Sequence, residues 1–522
     1  RAELVGLGSA ARAGIRAMSG VPTPTASPAL RAMRMQLHTQ NQAIVLMHVD
    51  CHVCHSEGLA SRSQVLVTGG NREVQALLYQ TNSPLFALDR LLLSEAAWQA
   101  LGIEDGDTVL VRHAPVLHSL AGVRRRIHGQ RLDCPGLAAI VHDVVHGRFT
   151  DVQLSAFLTA TATLPLDEQE TTHLTRAMVE VGERLSWPSP VVVDKHCVGG
   201  LPGNRTTPIV VAIAAANGLV MPKTSSRAIT SPAGTADTME TLAPVELDLG
   251  SLRRVVEAEG GCLAWGGAMH LSPADDIFVR IERELDIDTE GQLIASVLSK
   301  KIAAGAPHVV IDIPVGPTAK VRSPEVAQHL AARLTATAEH FGLTLRCLIT
   351  DGSQPIGHGI GPALEARDVL AVLRNTPDAP EDLRERAAMV AGAVLELGGV
   401  ATDGDGMRLA LETLRDGRAW HRFERICTAQ GGLREPPRAA HVRPLAAECS
   451  GRIVHIDNRK LSRLAKLAGA PERKAAGVHL QLRLGDVVSQ GQTLMELHAQ
   501  TPGEMAYDLQ YAVDAGPIVH LA

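Results

Sequence analysis

Residues 191–242 constrain this chain more than any other stretch: VVVDKHCVGGLPGNRTTPIVVAIAAANGLVMPKTSSRAITSPAGTADTMETL. The run 191–193 is apolar and β-branched and leads into Asp194-Lys195-His196. That predicts a short buried strand delivering a cation to its C-terminal edge. A glycine-rich turn, Gly199-Gly200-Leu201-Pro202-Gly203, precedes an apolar helix-like segment over 206–216. The plan then repeats. Residues 219–221 form a second apolar run, Thr224-Ser225-Ser226-Arg227 a polar turn, and Pro232-Ala233-Gly234 a small-residue turn before Thr235 opens TADTMETL. Two strand–loop–helix units in succession place helix-opening amides and hydroxyls on one edge. Helix N-termini favour an anion there. Lys195 adds full charge, and Ser225, Ser226 and Thr235 add donors suited to tetrahedral oxygens.

The pattern predicts a phosphate site that is not an ATP loop. Neither G-x-x-x-x-G-K-[ST] nor a strand followed by G-x-G-x-x-G occurs. A glycine-rich αβ turn that binds nothing is the plain alternative for either loop alone. The coincidence of both loops with Lys195 and SSRAIT favours phosphate.

These phrases also carry a resemblance. DKHCVGG followed by SSRAITSPAGTADTME is similar to the signature of the thymidine and pyrimidine-nucleoside phosphorylases. GNRTTPI, GQLIASVLSKK and DIPVGPTAK resemble the longer branch of that family, which includes AMP phosphorylases and "type 2" thymidine phosphorylases. The resemblance covers residues 132–522 closely and 35–130 more loosely. It implies an α/β multidomain fold with a small N-terminal β-barrel and a C-terminal α+β hammerhead-like domain. Between them, a helical domain and an α/β domain form a cleft that closes over substrate.

The rest of the chain fits that plan. A chain of 522 residues has room for three or four domains. Its formal charge of −6 argues against a nucleic-acid or anionic-membrane partner, and with 2% aromatics base stacking on aromatic platforms is not expected. No apolar run is long enough to span a bilayer. Eight scattered cysteines suit reduced thiols and a cytoplasmic location. Residues 1–34, rich in Ala, Arg, Ser and Pro, read as a transit-like leader or, preferably, a tail left by an upstream start. Residues 35–131 carry short strand-like runs broken by glycine turns, as a small β-barrel requires. Within them, Cys51-His52-Val53-Cys54-His55 has the spacing of a haem attachment. A zinc site with His48 is the other functional reading, and a structural turn is preferred.

Residues 132–186 switch to helical period and predict a helical domain, completed by about 273–305. Trp187-Pro188-Ser189-Pro190 makes a hinge into an α/β phosphate-binding domain over 187–434. From 435 to 522 the pattern is again strand-rich. Ser296 and Lys300, four apart, share one helical face. By spacing alone they are a solvated pair, and Asp288 is a helix N-cap.

The resemblance assigns more. Lys195, Gly200, Thr206, Ser225 and Thr235 correspond to the phosphate site. Ser226, Arg227, Ala228, Ile229, Thr230 and Ser231 correspond to the nucleoside or nucleotide loop. Ser296 and Lys300 line the base pocket with Arg280, for which Arg283 is a rival, and Lys320 matches a nucleotide contact of the long branch. Asp288 is the proton donor to the departing base, with His196 against base or ribose. The reaction implied is phosphorolysis of thymidine, or of AMP in the alternative. Inorganic phosphate is the co-substrate, no cofactor or metal is expected, and a homodimer or higher homo-oligomer is. One departure stands out: Cys197-Val198 occupies the place of a Ser-Thr pair in the shorter enzymes, so two hydroxyl donors are missing. A phosphoribosyltransferase is the alternative from another class. It would recruit Asp237 and Glu240 as magnesium ligands.

Overall fold

The structure, a computed structural model, describes residues 29–39, 42–228 and 231–522. The chain divides into two compact units, with the break between Leu117 and His118. Most of the leader, residues 1–28, lies outside the described residues, as do Ile229 and Thr230 of the nucleotide loop.

The first unit is a closed barrel of six strands. They are β1 (Leu30–Arg34), β2 (Ile44–His48), β3 (Gln64–Gly69), β4 (Arg72–Thr81), β5 (Arg90–Leu93) and β6 (Thr108–His113), in the order β1-β5-β2-β4-β3-β6. Residues 30–34, grouped with the leader by their composition, are thus a barrel strand. Leu30 and Ala32 point into the core while the intervening charges point out, the period-2 alternation of a barrel wall. Cys51 caps the helix His52–Glu57, and the sulfurs of Cys51 and Cys54 lie in the barrel core with Val53 and Leu59. Burial pushes the Cys54 thiol up. The C-x-x-C-H stretch is a helix start packed against apolar neighbours.

The second unit begins with helices. Cys134–Val145, Asp151–Thr163 and Glu168–Glu180 pack with Pro273–Leu285 and Glu290–Ala303 into one bundle. Its helix starts are set locally: Thr150 and Asp167 each form a capping box with a residue three positions on. Arg126 and Glu170, both buried, pair at 2.7 Å inside it.

A parallel sheet follows, with strands β7 (Val193–Cys197), β8 (Met221–Ser225), β9 (Gly261–Trp265), β10 (His308–Val315) and β11 (Thr344–Asp351). The order is β11-β10-β7 in one ladder and β8-β9 in the other, and a parallel bridge between Val192 and Val220 joins them. Helices pack against the sheet, and β10 is apolar and buried over most of its length. β7 begins at the end of the apolar run, Val193, and continues four residues beyond it to Cys197. Asp194 lies within the strand because Lys223 and Lys301 pair with it, and His196 because its imidazole is neutral there.

The last part of this unit, beyond residue 440, is a four-stranded antiparallel sheet that includes Gly359–Ile360, a three-stranded sheet, and the helices Asn458–Leu467 and Pro502–Asp514 around their own core. No helix among the described residues is long and apolar enough to cross a membrane.

Candidate active site

The C-terminal ends of parallel strands are where α/β sheets leave a crevice, and the charged groups of this chain gather there. Lys195 on β7 is 1% exposed, and its Nζ donates to Thr206 Oγ1 at 2.8 Å. Among the described residues no carboxylate comes within ion-pair distance of it. A buried ammonium without a counter-ion is costly unless an anion joins it. Burial pulls the Lys195 amine below its ordinary value of 10.5, which is the electrostatic mark of that deficit.

Three hydroxyls stand on the two glycine-loop units. Thr206 opens the helix Thr206–Ala216 and accepts from Lys195. Thr235 opens the helix Thr235–Glu240 and accepts from Arg205 Nη1 at 2.7 Å. Ser225, the last residue of β8, has a buried Oγ with no partner among the described residues. Among the described residues none of the three donates its own proton, so all three O–H groups remain for a ligand. Glycine is required where the loops close. At Gly200, φ is +79° and a Cβ would collide with the Lys320 backbone nitrogen. At Gly234 a Cβ would meet Arg227 and Ala228 backbone atoms.

Beneath this edge lies a buried ion cluster. Asp194 Oδ2 sits 2.6 Å from Lys301 Nζ, and Asp194 Oδ1 sits 3.2 Å from Lys223 Nζ. Burial pushes the Asp194 carboxyl up, but the two lysines outweigh it and hold it below its ordinary value. Two lysines thus share one carboxylate next to Lys195, and burial lowers the Lys301 amine to about 7. Burial, then Lys301 and Lys223, push His196 far below 6.5, so its imidazole is neutral. Burial, then Asp312, raise the Cys197 thiol to about 12, so it is protonated. The side of the edge that faces the sheet therefore favours an anion.

The bundle supplies the opposite wall. Lys300 Nζ pairs with Asp275 Oδ2 at 2.6 Å and donates to Ser296 Oγ at 3.3 Å, so the helical spacing does bring these two together. Lys301, one position on, turns about 100° away into the sheet. Asp288 Oδ2 pairs with Lys320 Nζ at 2.6 Å. These residues are 32 apart in sequence and come from the bundle and the sheet respectively. Asp288 is half-exposed, at 51%. Glu282 nearby is raised to about 8 by burial and then by Asp275 and Asp288.

Other proposed residues have structural partners. Arg280 is bidentate to Asp151, at 2.7 and 3.1 Å, and joins two bundle helices. Arg283 is exposed. Arg227 is bidentate to Glu240 at 2.8 Å, reaches Glu246 at 3.0 Å and lies over the Trp265 ring. Ala228 N donates to Asp237 Oδ2 at 2.6 Å, and Ser231 Oγ to Ala233 O at 2.9 Å. Asp237 and Glu240 are both met by Arg227 and Lys474, so each carboxylate is already satisfied.

Sequence reasoning missed Arg205, which spans the two loops by bonding Thr235, Ala233 O and Glu365. It also missed Lys223, Lys301 and Asp275. Only the Lys300-Lys301 doublet carried a signal, since adjacent helical residues point about 100° apart and the two lysines therefore face different surroundings.

A helical bundle beside a parallel sheet, with a buried lysine and hydroxyls at the strand ends, is the arrangement of a glycosyl transferase. The comparisons agree. The model described as glycosyl transferase family, a/b domain, matches residues 189–420, and that described as glycosyl transferase family, helical bundle domain, matches 123–182. A protein of Parvibaculum lavamentivorans named "putative thymidine phosphorylase" is 73% identical over 504 residues, 97% of this chain and 100% of that one. One of the same name from Legionella pneumophila is 52% identical over 492 residues, 94% of this chain and 95% of that one. Among solved structures, anthranilate phosphoribosyltransferase from Thermus thermophilus matches with a TM-score of 0.51 at 21% identity, covering 59% of this chain and 99% of that one. That likeness is one of fold. The chain belongs to the thymidine phosphorylase family, and it is an enzyme of the pentosyltransferase type.

Proposed function

We propose that the protein catalyses reversible phosphorolysis of a pyrimidine nucleoside, thymidine first, to free base and a pentose 1-phosphate. One observation carries the reading: among the described residues Lys195 is buried against Thr206 without a counter-ion, and the protons of Thr206, Ser225 and Thr235 on the two loop units are uncommitted. Phosphate is held by Lys195, the Gly200 loop, Thr206, Ser225 and Thr235. One of its oxygens forms a bond to the anomeric carbon as the N-glycosidic bond breaks. The bonding pair leaves with the base, and Asp288 delivers a proton to it. The sugar passes through an oxocarbenium-like state, and the phosphate beneath stabilises that charge. Lys300 and Ser296 face the base with Arg280, neutral His196 faces base or ribose, and residues 226–231 line the nucleoside. Asp288 is half-exposed, so the burial that suits a proton donor comes with substrate and cleft closure.

A second reading, phosphorolysis of AMP, is favoured by Lys320. Its pairing with Asp288 sets a cation beside the proton donor, where a 5′-phosphate would meet it. Phosphorus NMR of the reaction separates the two. Thymidine phosphorolysis converts the inorganic phosphate signal into one sugar phosphate. AMP phosphorolysis gives a bisphosphate with two signals. A phosphate signal unchanged with both substrates contradicts both.

A further inference from the structure

The strand ends that bear the site are held from the far side by a part of the chain to which no role has been given. Helix Asn458–Leu467 belongs to the C-terminal sheets and helices. Its first residue, Asn458, is 1% exposed. The Asn458 backbone N–H donates to Thr318 Oγ1 at 3.2 Å, and its Nδ2 donates to the Gly352 carbonyl at 3.1 Å. Thr318 is at the tip of the turn after β10, and Gly352 directly follows β11. One residue thus holds the ends of two adjacent strands.

That turn is rigid within itself and touches the site on two sides. Gly316 N–H donates to Val321 O and Ala319 N–H to Gly316 O, both at 3.1 Å, which closes it. Gly316 lies so close to Gly352 that a Cβ would collide with the Gly352 carbonyl. Two residues beyond Thr318, the Lys320 backbone packs on Gly200 of the phosphate loop, and Lys320 Nζ holds Asp288. The chain of contact is Asn458, Thr318, Lys320, then Asp288 and Gly200.

Stability alone does not account for an asparagine here. Asn458 Oδ1 is buried without a partner among the described residues. An unsatisfied buried acceptor is unfavourable, and the side chain satisfies the Gly352 carbonyl while leaving its own Oδ1 unpaired. The amide is kept where its Nδ2 reaches a strand end.

We propose that the C-terminal part of the chain works in the reaction itself: Asn458 is a positioning residue that, through Thr318 and Gly352, fixes the turn 316–320 and so places Lys320 against the substrate cleft. The proposal rests on the phosphorolysis reading above and deepens it, since it makes nucleoside or nucleotide affinity depend on a residue that touches neither.

The test is steady-state kinetics of the full chain with AMP and with thymidine, for Thr318→Val, Thr318→Ser, Asn458→Ala and Lys320→Ala. Thr318→Val removes the acceptor at constant shape. It raises KM for the organic substrate roughly 3- to 10-fold, the worth of one net hydrogen bond, and by more than it raises KM for phosphate. Thr318→Ser restores the parent value, and Asn458→Ala, which keeps the backbone bond to Thr318 but removes the Nδ2 bond to Gly352, raises the same KM through the second tie. In the Lys320→Ala background, Thr318→Val adds nothing, because the residue it positions is gone.

Three results would overturn it. One is a full additional loss in the Lys320→Ala background. A second is a fall in melting temperature with KM unmoved. The third is a rise in KM for Lys320→Ala but for neither Thr318→Val nor Asn458→Ala; that defeats the positioning role and leaves the phosphorolysis reading intact. Absence of phosphate-dependent turnover in the parent protein defeats both.

Discussion

Lys195 states the case at the scale of one residue. It is buried, charged and without a carboxylate partner among the described residues, and burial has lowered its amine below 10.5. Bound phosphate would supply the missing negative charge. Lys195→Met should therefore lower kcat/KM for phosphate by roughly 10² to 10³, the scale of one lost electrostatic donor. The sign of the pH effect follows. A lysine whose value is lowered loses its proton at a lower pH than a free one, and with it the attraction for phosphate. The KM for phosphate should rise on the alkaline side, beginning below pH 10.5, in a titration of initial rates. Asp288 makes a different prediction. Asp288→Asn keeps the shape but cannot deliver a proton. We expect kcat to fall by about 10² to 10⁴ with KM for phosphate unchanged. A loss confined to KM would place Asp288 in binding only.

Elements carry the next level. Strand β7 stays straight through three charged or polar residues because Asp194 ties it to Lys223 of β8 and Lys301 of helix Glu290–Ala303. Asp194→Asn would leave two buried lysines facing each other. Breaking a buried pair from one side costs about 3–5 kcal/mol, so a drop of that order in unfolding free energy is expected in denaturant titration. Helix Pro502–Asp514 makes the opposite kind of prediction. Asp508 is 0% exposed, neither carboxyl oxygen has a partner among the described residues, and burial raises it to about 8. Its folded value is above its unfolded one, so its contribution to stability is complete only below the unfolded value near 4. It is lost as pH climbs toward 8, by on the order of 4 kcal/mol at pH 7. Asp508→Asn should flatten the fall in melting temperature between about pH 4 and 7. An unchanged slope would mean that the carboxyl is solvated.

Across the whole molecule, the sequence was most legible where periodicity and motif coincide. The helix Thr206–Ala216 begins and ends where an apolar run between a glycine loop and Asn217-Gly218 predicts. The apolar run 191–193 marked the start of β7, whereas β8 takes in Thr224 and Ser225, which read as a turn, and β9 carried no strand signal. What local pattern could not show is pairing at a distance. Nothing near Asp288 announces Lys320, nothing near Thr235 announces Arg205, and Asn458 is far in sequence from the strand ends it holds. The barrel strand Leu30–Arg34 was hidden because three of its five residues are Arg or Met and point outward. In each case the partner is set by the fold, and a charged residue in the sequence looks solvated until that partner is placed.

The measurement that tests the account most directly is base release from thymidine, uridine, AMP and CMP side by side, with and without inorganic phosphate, for the parent protein and Lys195→Met. The account predicts release that requires phosphate, from at least one of the four, and that is lost in Lys195→Met. Release at the same rate without phosphate, or release that Lys195→Met leaves unchanged, would contradict it.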